Sequence, residues 1–538
     1  MWTQIRDSSL FFSKNFYNNN DSNFYHNTTF INKLYYYFNN KGYTNLILGQ
    51  IINILISNFI IFFVIFLLNC VDYNGLFSIN DKTYIHDYIN IQNFFQLNIF
   101  LWILVIIFIV FTITKIIGII DDYLCFKYIN NYYKTIDISE DEIHKLEWDA
   151  VINKISNKLD ETLDIYYINN IITTKDNYLI LLLEHNIIDL YHLSELMEWN
   201  IRYCIFFNIL DKNLKINKSL IDNKYDVIKS IKYQMKVISI INFIFMPFLA
   251  IFILFYNFFN YGEEFYSKPD LIISRIFSKN EKWKLRYYNE LEHEFNKRIS
   301  HAEKYCQKYS QCFSNKLYNL ISRLLVFVFS SVFIVLVILT FINDKILINL
   351  LIFKNHSMLW FIGLLASLIT ILKKQNEDNN SKKYMNELSK IINIDKTWID
   401  DANKNNVKKQ FFKMYQYKIF ILLKDIVYTI ITPFKLWILS YNIENVINFI
   451  IDNTKYHEDL KYICTSSYID TEIYKQSTLN REPYNNHMDN TINNTINNDI
   501  HEDKKIISLA HFKEKYPSWC NYMEKKILNN NSIKINII

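Results

Sequence analysis

Glycine and proline are scarce in this chain, six and five residues in 538. The six glycines stand alone, so neither a Walker A loop nor a GxGxxG turn can be built. No HExxH occurs. The seven cysteines (Cys70, Cys125, Cys204, Cys306, Cys312, Cys464 and Cys520) are odd in number, scattered and free of CxxC spacing. That excludes a paired disulfide framework and a zinc signature, and places them in reducing cytosol or in core packing. Glu292-His293-Glu294 and Asp189 with His192 come nearest to metal-ligand clusters, and surface histidines explain them better. No Ser/His/Asp or Cys/His arrangement follows from spacing. A formal charge of +5 is modest for this length and does not point to nucleic acid. Long runs of alternating residues are also missing, so the chain reads as all-α, with no catalytic residue, metal or cofactor expected. Heavy use of Asn, Ile, Lys, Tyr and Phe is a compositional bias, and single asparagines carry no message of their own.

Long apolar stretches are abundant, and there are six. Leu46–Leu68 is interrupted only by Gln50, Asn53, Ser57 and Asn58. At about 1.5 Å per residue it spans a hydrocarbon core of roughly 30 Å. Leu97–Ile120 does the same, with Lys115 near one end, where it snorkels to the headgroups. The stretches near 324–342 and 355–372 are similarly clean, giving four expected transmembrane helices. Two others fit a crossing poorly. Val237–Phe259 contains Pro247, and Phe420–Ser440 contains Pro433 with Lys424, Asp425 and Lys435 along it. The first apolar run starts at residue 46, past the usual position of a cleaved signal peptide, so an uncleaved first span is expected.

Loop charge orients the spans. Residues 69–96 carry one basic residue, Lys82, and 343–354 only Lys345 and Lys354, so both read as lumenal. Residues 121–236 and 260–321 are lysine- and arginine-rich and read as cytosolic. Val237–Phe259 lies between two cytosolic flanks, and a re-entrant segment bent at Pro247 satisfies that better than a crossing. The same reasoning makes 417–441 a re-entrant hairpin bent at Pro433, and four spans leave both termini cytosolic. The expected organisation is a cytosolic tail (1–45), two spans (46–120), a cytosolic helical region (121–236), a re-entrant segment (237–261), cytosolic helices (262–321), two spans (322–372), more cytosolic helices (373–416), the hairpin (417–441) and a last core part (442–469). An Asn-, Asp- and Thr-rich linker (470–505) and a short patterned segment (506–538) follow. Within the cytosolic parts, Ser139 with Glu142 forms a capping box ahead of apolar residues at helical spacing. The sequon Asn355-His356-Ser357 abuts a span and Asn27-Thr28-Thr29 lies in the cytosolic tail, so neither is expected to carry sugar.

Charged groups close to the dips are the only candidates for a functional path. They are Glu263, Glu264, Lys268 and Arg275 after the first, and Lys424, Asp425 and Lys435 in the second. A charge in hydrocarbon costs several kcal/mol by order of magnitude. These groups therefore either snorkel at the interface or line a hydrated path.

Several stretches, in order, resemble the autophagy-related protein 9 family. They are Leu163-Asp164-Ile165-Tyr166, Asp176-Asn177-Tyr178-Leu179, Leu196-Met197-Glu198-Trp199-Asn200 and Met246-Pro247-Phe248. The strongest runs from Trp283 to Ser300, with Asn289-Glu290-Leu291-Glu292-His293-Glu294-Phe295 and Arg298. Phe411-Phe412, Tyr415-Gln416-Tyr417-Lys418, Trp398 and Thr432-Pro433-Phe434 continue it, and Ser508-Leu509-Ala510-His511-Phe512 with Pro517 and Trp519 ends it. The chain departs from the family at Lys424-Asp425, where two acidic residues are usual. It also departs at Asp395-Lys396-Thr397-Trp398, in place of Pro-Asp-His-Trp, and at Lys373–Asp378, which lacks the usual proline.

The resemblance implies a domain-swapped homotrimer that scrambles phospholipids between leaflets without ATP. The family works on Golgi-derived vesicles and the growing phagophore membrane, with an autophagy-related protein 2-type lipid-transfer protein as partner. Its lateral cavity opens near the stretch matched by Glu264–Lys268. Such activity needs no covalent chemistry: a zwitterionic headgroup enters hydrocarbon at high cost, and a hydrated, charge-lined groove lowers that barrier. A channel or transporter, and a scaffold that only recruits autophagy factors, remain the alternatives. The clean spans carry few charges and no inverted repeat is visible, which counts against a transporter.

Overall fold

The computed structural model describes residues 28–77, 85–95, 98–159, 163–188, 193–210, 223–267, 274–313, 316–342, 351–353, 356–372, 380–392, 394, 396–457, 461–468 and 499–520. The described chain is mostly helical, and it divides into two compact units. The first comprises residues up to 255, 286–291 and 428 onward, and the second 256–285 and 292–427.

The core of the first unit is built on helical periodicity. Trp148, Val151, Ile152 and Ile155 repeat at i, i+3, i+4 and i+7 along the Trp148–Leu159 helix, and all four are buried. Each such side chain contributes on the order of 2 kcal/mol of burial free energy. They meet Ile31, Leu34 and Phe38 of the Thr28–Asn39 helix and Phe126, Ile129 and Tyr133 near the end of the Ile99–Thr135 helix. The stretch read from sequence as part of a tail thus supplies a core helix. The expected capping box is present: Glu142 N donates to Ser139 Oγ at 3.3 Å and Ser139 N to the Glu142 carboxylate at 3.4 Å. It starts only the short Glu140–Ile143 helix. The Ile165–Glu184 helix is buried almost all round, polar residues included, as befits an element at the centre of a unit. Residues 499–505, expected in the linker, begin the Asp499–Lys515 helix, which packs Leu509 and Phe512 into the same core. The rest of the expected linker, 470–498, lies outside the described residues, as does 521–538.

The second unit centres on the Glu292–Gln311 helix packed against Ser381–Ile392. Phe295, Ile299, Ala302, Cys306 and Tyr309 meet Met385, Leu388, Val407 and Phe411, with Trp398 half-buried at the edge. The all-α expectation needs a small amendment. Arg275–Phe277 pairs antiparallel with Tyr415–Tyr417, Thr454–His457 with Lys461–Cys464, and Leu351–Phe353 with His356–Ser357. These ladders are two to four residues a strand, too short to leave an alternating pattern in the sequence.

Among the described residues, three helices are long and apolar enough to cross a bilayer: Tyr43–Asn69, Lys224–Phe259 and Asn319–Phe341. Leu55, Phe59, Ile244, Phe327 and Phe341 on them are exposed, which suits lipid rather than water. The expected second span forms the first part of the 37-residue Ile99–Thr135 helix. The expected fourth is the Met358–Ile371 helix of 14 residues, about 21 Å long and short of a bilayer core.

The segments read as bent at proline differ most from expectation. Lys224–Ser267 is one continuous 44-residue helix with an exposed Pro247 inside it, not a reversal. Lys418–Tyr441 likewise runs unbroken through Pro433. A proline removes one backbone donor and crowds the preceding turn, yet apolar helices tolerate it where neighbours satisfy the freed groups.

Candidate functional site

The charged candidates are dispersed. Glu263 and Glu264 fall on the last turns of the Lys224–Ser267 helix with side chains outside the described residues, and Lys268 lies outside the described residues altogether. Arg275 is held firmly. Its guanidinium lies 3.9 Å from the Phe412 ring and 3.8 Å from the Tyr417 ring, and Nη1 donates to Tyr415 O at 3.4 Å. A planar cation between two aromatic faces is a stable arrangement. Lys424 reaches the same three-residue strand, donating to Gln416 Oε1. Arg275 and Lys424 therefore both contact the Tyr415–Tyr417 strand. Asp425 and Lys435 are half-buried on the same helix as Lys424. They are ten residues apart, about 15 Å along its axis.

Thr432-Pro433 forms a polar seam within the first unit. Ser239 Oγ donates to Pro433 O at 2.6 Å, and the Thr432 and Ser194 hydroxyls share a hydrogen bond of 2.8 Å. Ser194 also caps the Glu195–Ile201 helix, accepting from Met197 N at 3.0 Å. Further along, Lys236 Nζ lies 5.3 Å from the Trp437 ring and 4.9 Å from the Tyr441 ring. Pro433 is a docking point rather than a hinge in this arrangement.

The motif residues converge on a buried hydrogen-bond hub around Asn289, which has φ 60°. Asn and Gly tolerate this left-handed backbone far better than other residues. The bend points Asn289 into the Ile165–Glu184 helix. Asn177 Nδ2 donates to Asn289 Oδ1 at 2.8 Å while Asn289 N donates to Asn177 Oδ1 at 3.0 Å. Asn289 Nδ2 donates to Ser467 O at 2.9 Å, an acceptor shared with Tyr166 OH (2.6 Å) and Asn170 Nδ2 (3.1 Å). Glu290 accepts from Tyr287 N at 3.0 Å, Leu291 is fully buried in the core, and Tyr288 N donates to Ser508 Oγ at 3.1 Å. Trp519 Nε1 donates to Asp164 Oδ1 at 2.8 Å. Four separate motifs are thereby tied into one structural keystone.

Beside the hub lies a charge cluster that sequence spacing did not reveal. Asp176 receives Arg202 Nη2 at 2.7 Å and Arg286 Nη2 at 2.8 Å, and Arg202 Nε donates to Glu198 at 2.9 Å. Burial pushes the Asp176 carboxyl up, but Arg286 and Arg202 outweigh it and hold it below the usual carboxylate value. Trp199 is half-buried and stacks on Tyr203 with ring centroids 5.2 Å apart. In the second unit, Glu292 opens the Glu292–Gln311 helix, where its charge suits the helix dipole. Arg298 donates to Ile391 O at 3.2 Å and to Leu285 O at 2.8 Å, serving the carboxyl ends of two helices. Asp189 and His192 lie outside the described residues.

This architecture can be set beside known proteins. The model of the family described as autophagy protein ATG9 matches residues 23–470. The chain belongs to this family. It is 26% identical over 452 residues to autophagy-related protein 9 of Dictyostelium discoideum, covering 79% of this chain and 64% of that protein. It is 27% identical over 463 residues to autophagy-related protein 9 of Saccharomyces cerevisiae, covering 79% of this chain and 46% of that protein. The match thus spans about half to two-thirds of these relatives. The cryo-EM structure of Schizosaccharomyces pombe Atg9 superposes with a TM-score of 0.63 at 22% identity, covering 84% of this chain and all of that one, and shows a shared fold. The Asn289 hub is thus how this ATG9-family chain assembles its motifs. No sequence pattern pointed to Ser467, or to Asp176 as the shared partner of Arg202 and Arg286, because these groups lie far apart along the chain.

Proposed function

We propose that this chain is an ATP-independent phospholipid scramblase of autophagosome formation. It equilibrates lipid between the leaflets of seed vesicles and the phagophore as a homotrimer, alongside an autophagy-related protein 2-type lipid-transfer protein. Family membership supplies the autophagic setting. The observation that carries the mechanism is the Thr432–Pro433 seam. An apolar helix bearing Lys424, Asp425 and Lys435 is pinned through hydroxyls to Ser239 and to Ser194, which caps a charged helix. Polar groups at such a boundary sit at headgroup depth at less cost than in mid-hydrocarbon. In this reading the 418–441 helix enters the cytosolic leaflet and does not cross it, and its charges face a hydrated groove along which headgroups move while tails stay in lipid. Pro433 docks the helix, Glu263, Glu264 and Lys268 stay candidates for the path on their charge alone, and Arg275 fixes the short strand that Lys424 reaches.

The alternative of a non-scrambling scaffold draws support from the motif residues, which build a keystone and not a channel wall. The test is a variant with Lys424→Leu, Asp425→Leu and Lys435→Leu, reconstituted at the parent's density. Lipid scrambling slowed about tenfold or more, a barrier rise near 1.4 kcal/mol, supports the groove. Parental rates from the folded variant would remove these residues from the path.

A further inference from the structure

Residues 402–424 contain six lysines (Lys404, Lys408, Lys409, Lys413, Lys418 and Lys424) and no acidic residue. The Asn405–Met414 helix carries three of them, with Val407 and Phe411 turned into the core of the second unit. Asn405, Lys409 and Lys413 recur at i, i+4 and i+8, so they share one face, with Lys408 and Phe412 alongside. These five residues line an open cleft of about 500 Å³. Arg275 lies 3.9 Å from the Phe412 ring and adds a further positive charge near the aromatic wall. Lys404 is paired with Asp401 at 2.9 Å, whereas among the described residues neither Lys408 nor Lys409 forms an ion pair with a carboxylate. Lys408 instead lies over the Phe313 ring at 4.9 Å. Like charges one helical turn apart repel one another. Lys408 and Lys409 therefore bring positive charge to the cleft without a carboxylate partner among the described residues.

We infer that this cleft binds a phosphate-bearing anion, and that the anion is the headgroup of an acidic phospholipid such as a phosphorylated inositide. Position favours the lipid source. The apolar stretch from Phe420 begins seven residues after Lys413, separated by a short strand, so on the reading above, in which the 418–441 helix enters the cytosolic leaflet, the cleft lies within a headgroup's reach of the bilayer surface. Clusters of four to eight lysines next to an apolar helix attract anionic lipid in this way. The phosphate would sit between the Lys408, Lys409 and Lys413 ammonium groups, with Phe412 as an apolar wall.

The full chain in neutral detergent tests this by equilibrium binding of fluorescent dioctanoyl phosphatidylinositol 4-phosphate, with dioctanoyl phosphatidylcholine as the neutral comparison. The acidic probe should bind at least about tenfold tighter, weakening as salt rises. A Lys408→Gln/Lys409→Gln/Lys413→Gln variant should lose about tenfold or more, while the Lys→Arg counterpart stays within about threefold of the parent. Soluble inositol 1,4-bisphosphate separates the sources. Competition at least about tenfold weaker than the lipid probe supports the lipid headgroup, and competition equal to the lipid probe overturns the lipid source in favour of a free phosphate. Equal binding of the two lipid probes, or a folded Gln variant that binds like the parent, would overturn the inference. Because binding is read without lipid movement, this result and that of the scrambling assay stand independently.

Discussion

Replacing Asn289 should damage the protein through two separable physical terms. Alanine loses the acceptor for Asn177 Nδ2 and the donor to Ser467 O, at 2.8 and 2.9 Å in a buried site. The damage is limited, because Asn177 Nδ2 also reaches Thr173 Oγ1 at 3.1 Å and Ser467 O keeps Tyr166 and Asn170. Two such losses cost about 2–3 kcal/mol together. Alanine at φ 60° adds about 1 kcal/mol of backbone strain. Glycine loses the same hydrogen bonds but escapes the strain. At about 2 °C per kcal/mol for a large unit, Asn289→Ala should lower the melting midpoint by about 6–8 °C and Asn289→Gly by about 2 °C less. Thermal denaturation of the detergent-solubilised chain, followed by size-exclusion fluorescence, measures both. Midpoints within 1 °C of the parent for both variants would refute the keystone, and equal losses would refute the strain term.

Two further predictions concern ionisable groups outside the apolar helices. The folded Asp176 carboxyl titrates below its unfolded value near 3.9, so its stabilisation is present above that value and is lost as pH falls through the folded one. Asp176→Asn should flatten the acid limb of the midpoint-versus-pH curve below about pH 4, and at pH 7 it should cost about 3 kcal/mol by removing the carboxylate that two arginines share, with Arg202 keeping Glu198. An unchanged acid limb would remove Asp176 from the pH dependence. Burial pushes the Cys204 thiol up to about 12 and the Cys464 thiol to about 11. At pH 8 their thiolate fractions are on the order of one part in 10⁴ and 10³. Maleimide should therefore label the part-exposed Cys312 and spare these two until the chain unfolds, as mass spectrometry of labelled peptides will show.

Local signals in the sequence read well. Hydropathy marked Tyr43–Asn69 and Asn319–Phe341, because a bilayer imposes a length and a composition on each segment separately. The Ser139 capping box was legible because both partners lie within one turn. Distant pairings were not. Asn289 meets residues 112 and 178 positions away, and nothing near it in sequence announces Asn177 or Ser467. Proline was over-read, since Pro247 and Pro433 raise the cost of a helix without ending one inside an apolar stretch. Arg275 was named for its charge alone, and the Phe412 and Tyr417 rings that hold it came into view only with strand pairing.

The most direct test of the central claim is dithionite quenching of a headgroup-labelled phospholipid in vesicles holding the purified full chain, without ATP. Protein-free vesicles should plateau at roughly half quenching, because headgroup passage through hydrocarbon is costly. The account predicts that vesicles containing the chain continue toward complete quenching while remaining impermeable to dithionite. A plateau at the protein-free level, from folded and inserted protein, would contradict it.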